Sequence, residues 1–204
     1  MALLNKQQLD QLADTVKNAE TKTDAEIVTV YAHASDDYRF IPTMWAAMIA
    51  LLTPSVLLLS PLWLAPQDLL LVQMGVFVLL AASFQIPALR YRLIPKRMKR
   101  HRAALMARRQ FLEQGLHHTK DRTGVLIFVS AAEHYVEIMV DQGISNHIDN
   151  SQWQSIVTTF TQKVKAGDVL EGFEECVNSV AKVVSAVLPA THEQNELEDR
   201  LVVI

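Results

Sequence analysis

Between Arg39 and Arg90 the only ionisable side chain is Asp68, and it stands almost midway. The two halves, Ile41 to Leu64 and Leu69 to Leu89, are each long enough for an α-helix to cross ~30 Å of hydrocarbon at ~1.5 Å per residue. Ala65-Pro66-Gln67-Asp68 between them is a short polar turn, which proline suits and a continuous helix does not. The pattern predicts a transmembrane helical hairpin over 39–90. Buried helices of a soluble protein can share this composition. Two of such length, one with Pro54 inside it, are out of scale for a chain of 204 residues. Trp45 and Trp63 stand at opposite ends of the first span and Tyr91 follows the second, where amphipathic rings favour the headgroup level. With no ionisable group inside either span, the hairpin reads as an anchor rather than a channel or a proton path.

The residues that follow set its orientation. Of the 19 Lys and Arg, nine fall within 90–109: Arg90, Arg92, Lys96, Arg97, Lys99, Arg100, Arg102, Arg108 and Arg109, with no acid among them. The positive-inside rule keeps such a collar cytoplasmic, and a hairpin returns both flanks to that side. The expectation is a multi-pass protein of the cell inner membrane with cytoplasmic termini. Arg90, Arg92, Lys96, Arg97, Lys99, Arg100 and Arg102 then lie at the membrane surface, with membrane lipids as their partners. The remainder carries 10 basic against 22 acidic groups, an acidic body that argues against nucleic acid as a partner. A single cysteine, Cys176, excludes an intramolecular disulfide and suits a reducing compartment. Residues 1–38 are polar and mixed in charge and do not read as a cleavable signal.

Outside the hairpin, helical and strand periodicities take turns. Asn5 with Gln8 three residues on reads as an N-cap, followed by Leu9, Leu12 and Val16 on one helical face to about Asn18. Ile27 to Tyr31 is β-branched and aromatic, a strand, and Ser35-Asp36-Asp37-Tyr38 leads from it to the membrane. Pro95 suits the start of a helix to about Leu116, with Met98, Leu105, Leu112 and Leu116 as its apolar row. This is the basic amphipathic juxtamembrane segment, 91–118. Val125 to Ser130 is a continuous apolar run, a strand buried on both faces. Ala131 to His134 turns it into a second strand, Tyr135 to Val140, with Glu133 and His134 as the exposed tip. Ser151 is expected to cap a helix carrying Trp153, Ile156, Val157, Phe160 and Val164, which Gly167 stops. Another, from Asp168 or Glu171, carries Phe173, Val177, Val180, Val184 and Leu188 up to Pro189. Residues 190–204 read as a flexible acidic tail.

The run Arg122-Thr123-Gly124-Val125-Leu126-Ile127-Phe128-Val129-Ser130, then Glu133, Val136-Glu137-Ile138, Asp141-Gln142-Gly143-Ile144 and Trp153, resembles the TPM domain. The setting around a hairpin is similar to the short, membrane-embedded bacterial branch of that family, a domain of unknown function. The resemblance covers about Lys120 to Leu188, and a helix and strand within 3–35 would complete the domain. It implies a small α/β sandwich interrupted by the two-helix hairpin, with 1–38 and 119–189 as two parts of one cytoplasmic domain. Relatives are associated with photosystem repair, receptor accessory roles and an acid phosphatase activity, and a LemA-family membrane protein often accompanies the bacterial ones. These roles share no single reaction, so the resemblance implies fold more than function.

The phosphatase-type relatives imply acids near strand ends and a metal. Here the acids so placed are Asp36 and Asp37 after the first strand, and Asp141 and Asp149 after the third, with His147 between them. A hard cation needs several oxygens converging on one point, and the sequence has neither an EF-hand ladder nor an HExxH spacing. Ser130 lacks a Gly-x-Ser-x-Gly setting, and Cys176 lies on an apolar helical face and reads as core. His117-His118 suits a helix end, and Gly124 and Gly143 form no phosphate-binding loop. The reading is a two-span membrane protein whose TPM-like domain serves, without catalysis and without a cofactor, as an adaptor or an assembly or maintenance factor for membrane proteins. The alternative is a membrane-anchored phosphatase that uses a divalent metal at Asp36, Asp37, Asp141 and Asp149.

Overall fold

The computed structural model describes residues 6–61, 64–119, 121–191 and 201–204, so Asn5 and Trp63 lie outside the described residues. In chain order the first elements are α1 (Lys6–Glu20), β1 (Glu26–Ala32), α2 (Phe40–Leu58), α3 (Pro66–Ser83), α4 (Pro87–Leu93) and α5 (Lys96–Glu113). They are followed by β2 (Gly124–Ser130), β3 (Tyr135–Val140), α6 (Gln142–Ser145), α7 (Asn150–Ala166), α8 (Val169–Ser185) and β4 (Leu201–Val203). The chain divides into two units, residues 1–35 with 102–204, and residues 36–101.

The first unit is a mixed α/β fold around a sheet of order β3-β2-β1-β4. β1 and β2 run parallel, Ile27 opposite Val125 and Tyr31 opposite Val129. β3 returns antiparallel to β2 through the Ala131–His134 turn. Every residue of β1 and β2 is buried, as a run without polar alternation requires when both faces of a sheet are covered. Alternate side chains then go to opposite cores. Ile27, Tyr31, Val125, Ile127 and Val129 join Leu12 and Val16 of α1, Trp153 and Phe160 of α7, and Phe173, Val177 and Val180 of α8. Val28, Val30, Leu126 and Phe128 meet Ala103, Ala107 and Phe111 of α5 on the other side.

The apolar row read from the sequence is not the face that α5 turns to the sheet. Met98, Leu105 and Leu112 are exposed, and Leu116 is buried beyond the helix, in a 3-10 turn at Leu116–His118. The helix turns Ala103, Ala107, Gln110 and Phe111 inward instead. Small side chains let a helix backbone lie close over β-branched and aromatic strand residues, and close packing decides which face wins. The end of the tail also differs from its reading in the sequence. Leu201–Val203 pairs in parallel with Thr29–Tyr31, with Leu201 against the α1, α7 and α8 core and Val202 against the α5 core. An alternating strand can satisfy both cores at once, which the acid-rich stretch before it concealed.

In the second unit α2 packs on α3, and α2 buries Pro42, Ala46 and Ala50 in one row at helical spacing. Both helices are long and apolar enough to cross a membrane. Their ends differ from expectation. The first stops at Leu58 and not Leu64, and the second starts at Pro66 and stops at Ser83. Pro66 occupies the first helical turn, where its missing N–H costs nothing, and Asp68 lies near the positive end of the helix dipole. Pro87 likewise opens α4 as a separate helix. The entry and exit of this unit lie side by side. Arg90 Nη1 donates to the Asp37 carbonyl at 2.8 Å, and the Tyr38 and Tyr91 rings meet edge-on with centroids 6.0 Å apart.

That proximity makes the split domain testable. Joining Tyr38 to Tyr91 through a short Gly/Ser linker is expected to leave the sheet unit folded, with one cooperative urea transition followed by circular dichroism. A chain starting at residue 96 lacks β1, the strand between β2 and β4, and is expected to lose that transition. An equally cooperative transition without residues 1–38 would refute the split domain.

Candidate functional site

Ligands of α/β sheets gather at the carboxyl ends of parallel strands, which here means the ends of β1 and β2. The pairing continues past both strands, as Ala131 N donates to the Ala32 carbonyl at 3.0 Å and Ala132 N to that of His33 at 3.1 Å. Residues 33–35 are thereby held alongside 130–133. The turn after β2 takes a left-handed residue, His134 with φ 50°. Glu133, expected at an exposed tip, instead lies folded inward at 7% exposure.

Its Oε2 accepts from the Ser130 hydroxyl and from the Ser35 backbone N–H at 3.1 Å. The two serine oxygens are 2.8 Å apart. Because Ser130 gives its proton to the carboxylate, Ser35 must donate in that pair. Glu133 Oε1 is buried with no hydrogen-bond partner among the described residues. A serine beside a carboxylate has the outline of a nucleophile and its base, but Ser130 is 1% exposed. A reacting atom has to come within about 3 Å of the nucleophile, and this serine is closed to it. The trio acts as a polar clasp between the exit of β1 and the β2–β3 turn. Beside it, burial pushes the Tyr31 hydroxyl above its ordinary pKa, and the His33 ring stands edge-on to Tyr31 with centroids 5.3 Å apart.

The four acids singled out in the sequence each have local work. Asp36 Oδ1 accepts from Tyr38 N at 3.1 Å, and exposed Asp37 pairs with Arg39 at 3.3 Å. Asp141 caps α6, accepting from Gln142 N at 2.6 Å. Asp149 caps α7, accepting from Ser151 N at 2.8 Å. The cap of α7 is therefore Asp149 and not Ser151, and these hydrogen bonds hold the Asp149 carboxyl below the usual range. Asp36 and Asp37 belong to one unit, Asp141 and Asp149 to the other. Among the described residues, no three His, Cys, Asp or Glu are grouped so as to hold a metal ion. Cys176 is buried in the α7/α8 core and its thiol is pushed up to about 12, chiefly by that burial, so it is an inert core residue.

The glycines have a packing role. A Cβ on Gly124 would lie 2.4 Å from the Leu116 carbonyl oxygen, and one on Gly143 2.4 Å from that of Asp121 and 2.7 Å from that of Arg122. Gly143 N donates to the Arg122 carbonyl at 3.0 Å, Asp141 N to that of Gly124 at 3.0 Å, and Arg122 Nη1 to Gln142 at 2.8 Å. Two sequence segments that stood out separately are thus one lock between the start of β2 and the end of β3. Of the membrane-surface residues, Arg92, Lys96, Arg97, Arg100 and Arg102 are exposed. Arg90 and Lys99 both stand 5.8 Å from the Tyr91 ring centroid, and Trp45 is 38% exposed on α2.

Comparison with known proteins agrees with this architecture. Residues 92–183 match the family profile of the TPM domain. The fold is similar to the NMR structure of the BA42 protein from the psychrophilic bacterium Bizionia argentinensis, with a TM-score of 0.62. That match has 14% sequence identity and covers 98% of this chain and 95% of the other; at such low identity it speaks to fold alone. No curated protein matches the chain.

The clasp and the lock predict specific losses. Glu133→Ala leaves the Ser35 N–H and the Ser130 hydroxyl buried without their acceptor, for an expected cost of about 1–3 kcal/mol. Gly143→Ala forces a methyl against two carbonyls and is expected to cost about as much through overpacking. Gly75→Ala, inside α3 of the other unit and with nothing within 4 Å, is the control and is expected to leave the midpoint of the sheet unit unchanged. Urea midpoints of the three variants check this, and a Gly143→Ala midpoint equal to the wild type would remove the lock.

Proposed function

The chain carries a TPM domain, and from that premise we propose that it is a membrane-anchored adaptor. A two-helix hairpin fixes it in the cell inner membrane, and the TPM domain works from the cytoplasmic side on other membrane proteins. The observation that carries the reading is the surface of α2 and α3. Their apolar windows are only 17% and 0% buried, and Leu51, Leu58, Leu70, Leu71, Met74 and Leu79 are each at least 65% exposed or nearly so, at 70, 72, 63, 68, 65 and 70%. Apolar surface in water costs about 25 cal/mol per Å², and a contiguous patch of this kind marks a membrane or partner surface. Lipid removes that cost without any further protein.

Orientation follows from charge. The cations from Arg90 to Arg109 all follow the second span in the chain, and moving Lys or Arg through the bilayer centre costs about 3 kcal/mol each. Both termini then face the cytoplasm, and only the segment between α2 and α3 reaches the far side. The adaptor reading draws on the acids, which are engaged as caps and local pairs, and on the clasp serine, which is closed to substrate. A LemA-family membrane protein is the partner the family resemblance implies.

Two measurements test this. With Gln67→Cys or Asn150→Cys, an impermeant thiol reagent on sealed inverted vesicles is expected to label position 150 and spare 67. The reverse pattern would sink the topology. The purified protein is also expected to show no phosphate-ester hydrolysis above background, with or without added Mg²⁺ or Mn²⁺. Asparagine caps helices as aspartate does, so Asp141→Asn and Asp149→Asn keep the fold. Metal-dependent hydrolysis that these variants abolish would put the phosphatase in place of the adaptor.

A further inference from the structure

Helix α5 has two apolar faces, and the fold uses one. At about 100° per residue, Leu105 lies about 160° and Leu112 about 140° around the helix from the centre of the row Ala103, Ala107 and Phe111 that closes the sheet. Leu105 is 42% exposed and Leu112 57%. Met98, one heptad before Leu105 and 38% exposed, falls in the same row of the helix. Cations border that row on both sides. Arg108 and His101 follow its residues by three positions, Arg109 and Arg102 by four, and all are exposed. Within α5 itself the one acid is Glu113, and it is paired with Arg109 at 2.7 Å.

We propose that the outer face of α5 is a lipid-docking surface, with Leu105 and Leu112 entering the headgroup layer of an anionic leaflet while Arg102, Arg108 and Arg109 hold lipid phosphates. An apolar row flanked by arginines suits an interface, because the long side chains carry their charge outward to phosphate while the aliphatic stems stay with the acyl boundary. A helical protein partner suits it less. A coiled-coil seam needs apolar residues at two positions of each heptad, and here the positions three and four beyond Met98 and Leu105 are His101, Arg102, Arg108 and Arg109. The proposal rests on the membrane reading above and deepens it. The domain would lie against the leaflet through its own helix, rather than be merely tethered near it.

The test uses the full chain in phosphatidylcholine vesicles, with and without a phosphatidylglycerol fraction. Position 112 (Leu112→Cys) carries an environment-sensitive fluorophore, and Asn178→Cys on α8 is the exposed control; buried Cys176 does not compete for label. Lipids brominated on the acyl chains report depth. Strong quenching at 112 in anionic vesicles and little at 178 is the expected result. In a variant with Arg102→Glu, Arg108→Glu and Arg109→Glu, quenching at 112 is expected to fall to the level at 178, since each cation lost lowers docking about fivefold. Circular dichroism confirms that this variant is folded. An unquenched label at 112 in anionic vesicles overturns the proposal. So does quenching that the charge reversals leave unchanged, or disulfide crosslinking of 112 to 112 between copies in place of quenching. Alkaline carbonate extraction separates the two readings. Protein retained in the vesicles with 112 unquenched fails the docking surface alone, whereas protein released from them fails the hairpin and the docking surface with it.

Discussion

The parallel pairing of β1 with β2 is the contact on which the rest of the fold depends. Parallel neighbours need a crossover, since no tight turn can join them. Here that crossover contains α2, α3, α4 and α5. Of these, α5 does what a crossover helix ordinarily does and covers a sheet face, with Ala103, Ala107 and Phe111 over Val28, Val30 and Phe128. The apolar hairpin is an insertion ahead of it. The contacts between Asp37 and Arg90 and between Tyr38 and Tyr91 close that insertion at its base, so the chain leaves and returns at nearly the same place. An insertion with adjacent ends can be long without disturbing what it interrupts, because loop-closure entropy grows only slowly with length.

Once β1 sits between β2 and β4, several features become necessary. Central strands leave no face for water, so α1, α7 and α8 must cover one side and α5 the other. Their own apolar residues then have no alternative partner within the unit. The close approach of α5 uses alanine, and it leaves the leucines of that helix outward. The same segment that completes the core therefore offers an apolar, cation-edged surface beyond it.

The polar groups at the strand ends serve the same pairing. Ser35 lies at the point where the chain departs from the sheet unit, and its ties to Ser130 and Glu133 keep β1 in register there. At the opposite end of β2, the approach of Gly143 to Asp121 and Arg122 fixes where β3 finishes. Asp141 and Asp149 satisfy the first N–H groups of the helices that follow. In each case a residue type that catalysis also uses is explained by buried or terminal backbone groups that need partners.

The sequence alone determined what depends on local pattern. Two uncharged runs separated by a proline turn, a cation-rich collar, the β-branched runs of β1 and β2, and the apolar rows of α7 and α8 each encode their element within a short window. The TPM resemblance was legible for the same reason, because Arg122 to Gly124 and Asp141 to Gly143 are contiguous segments. Tertiary structure decided what depends on partners distant in the chain. Leu105 and Leu112 are better apolar residues than Ala103 and Ala107, and only the distance between helix and sheet made the alanines the inner face. Glu133 sits in a turn that reads as exposed, and only parallel pairing brought Ser35 to it. Leu201 and Val202 follow an acid-rich stretch, and became a strand because the edge of β1 had backbone groups to pair and a core on either side. Local propensity fixes an element, but which of its faces is buried is settled by the surface it meets.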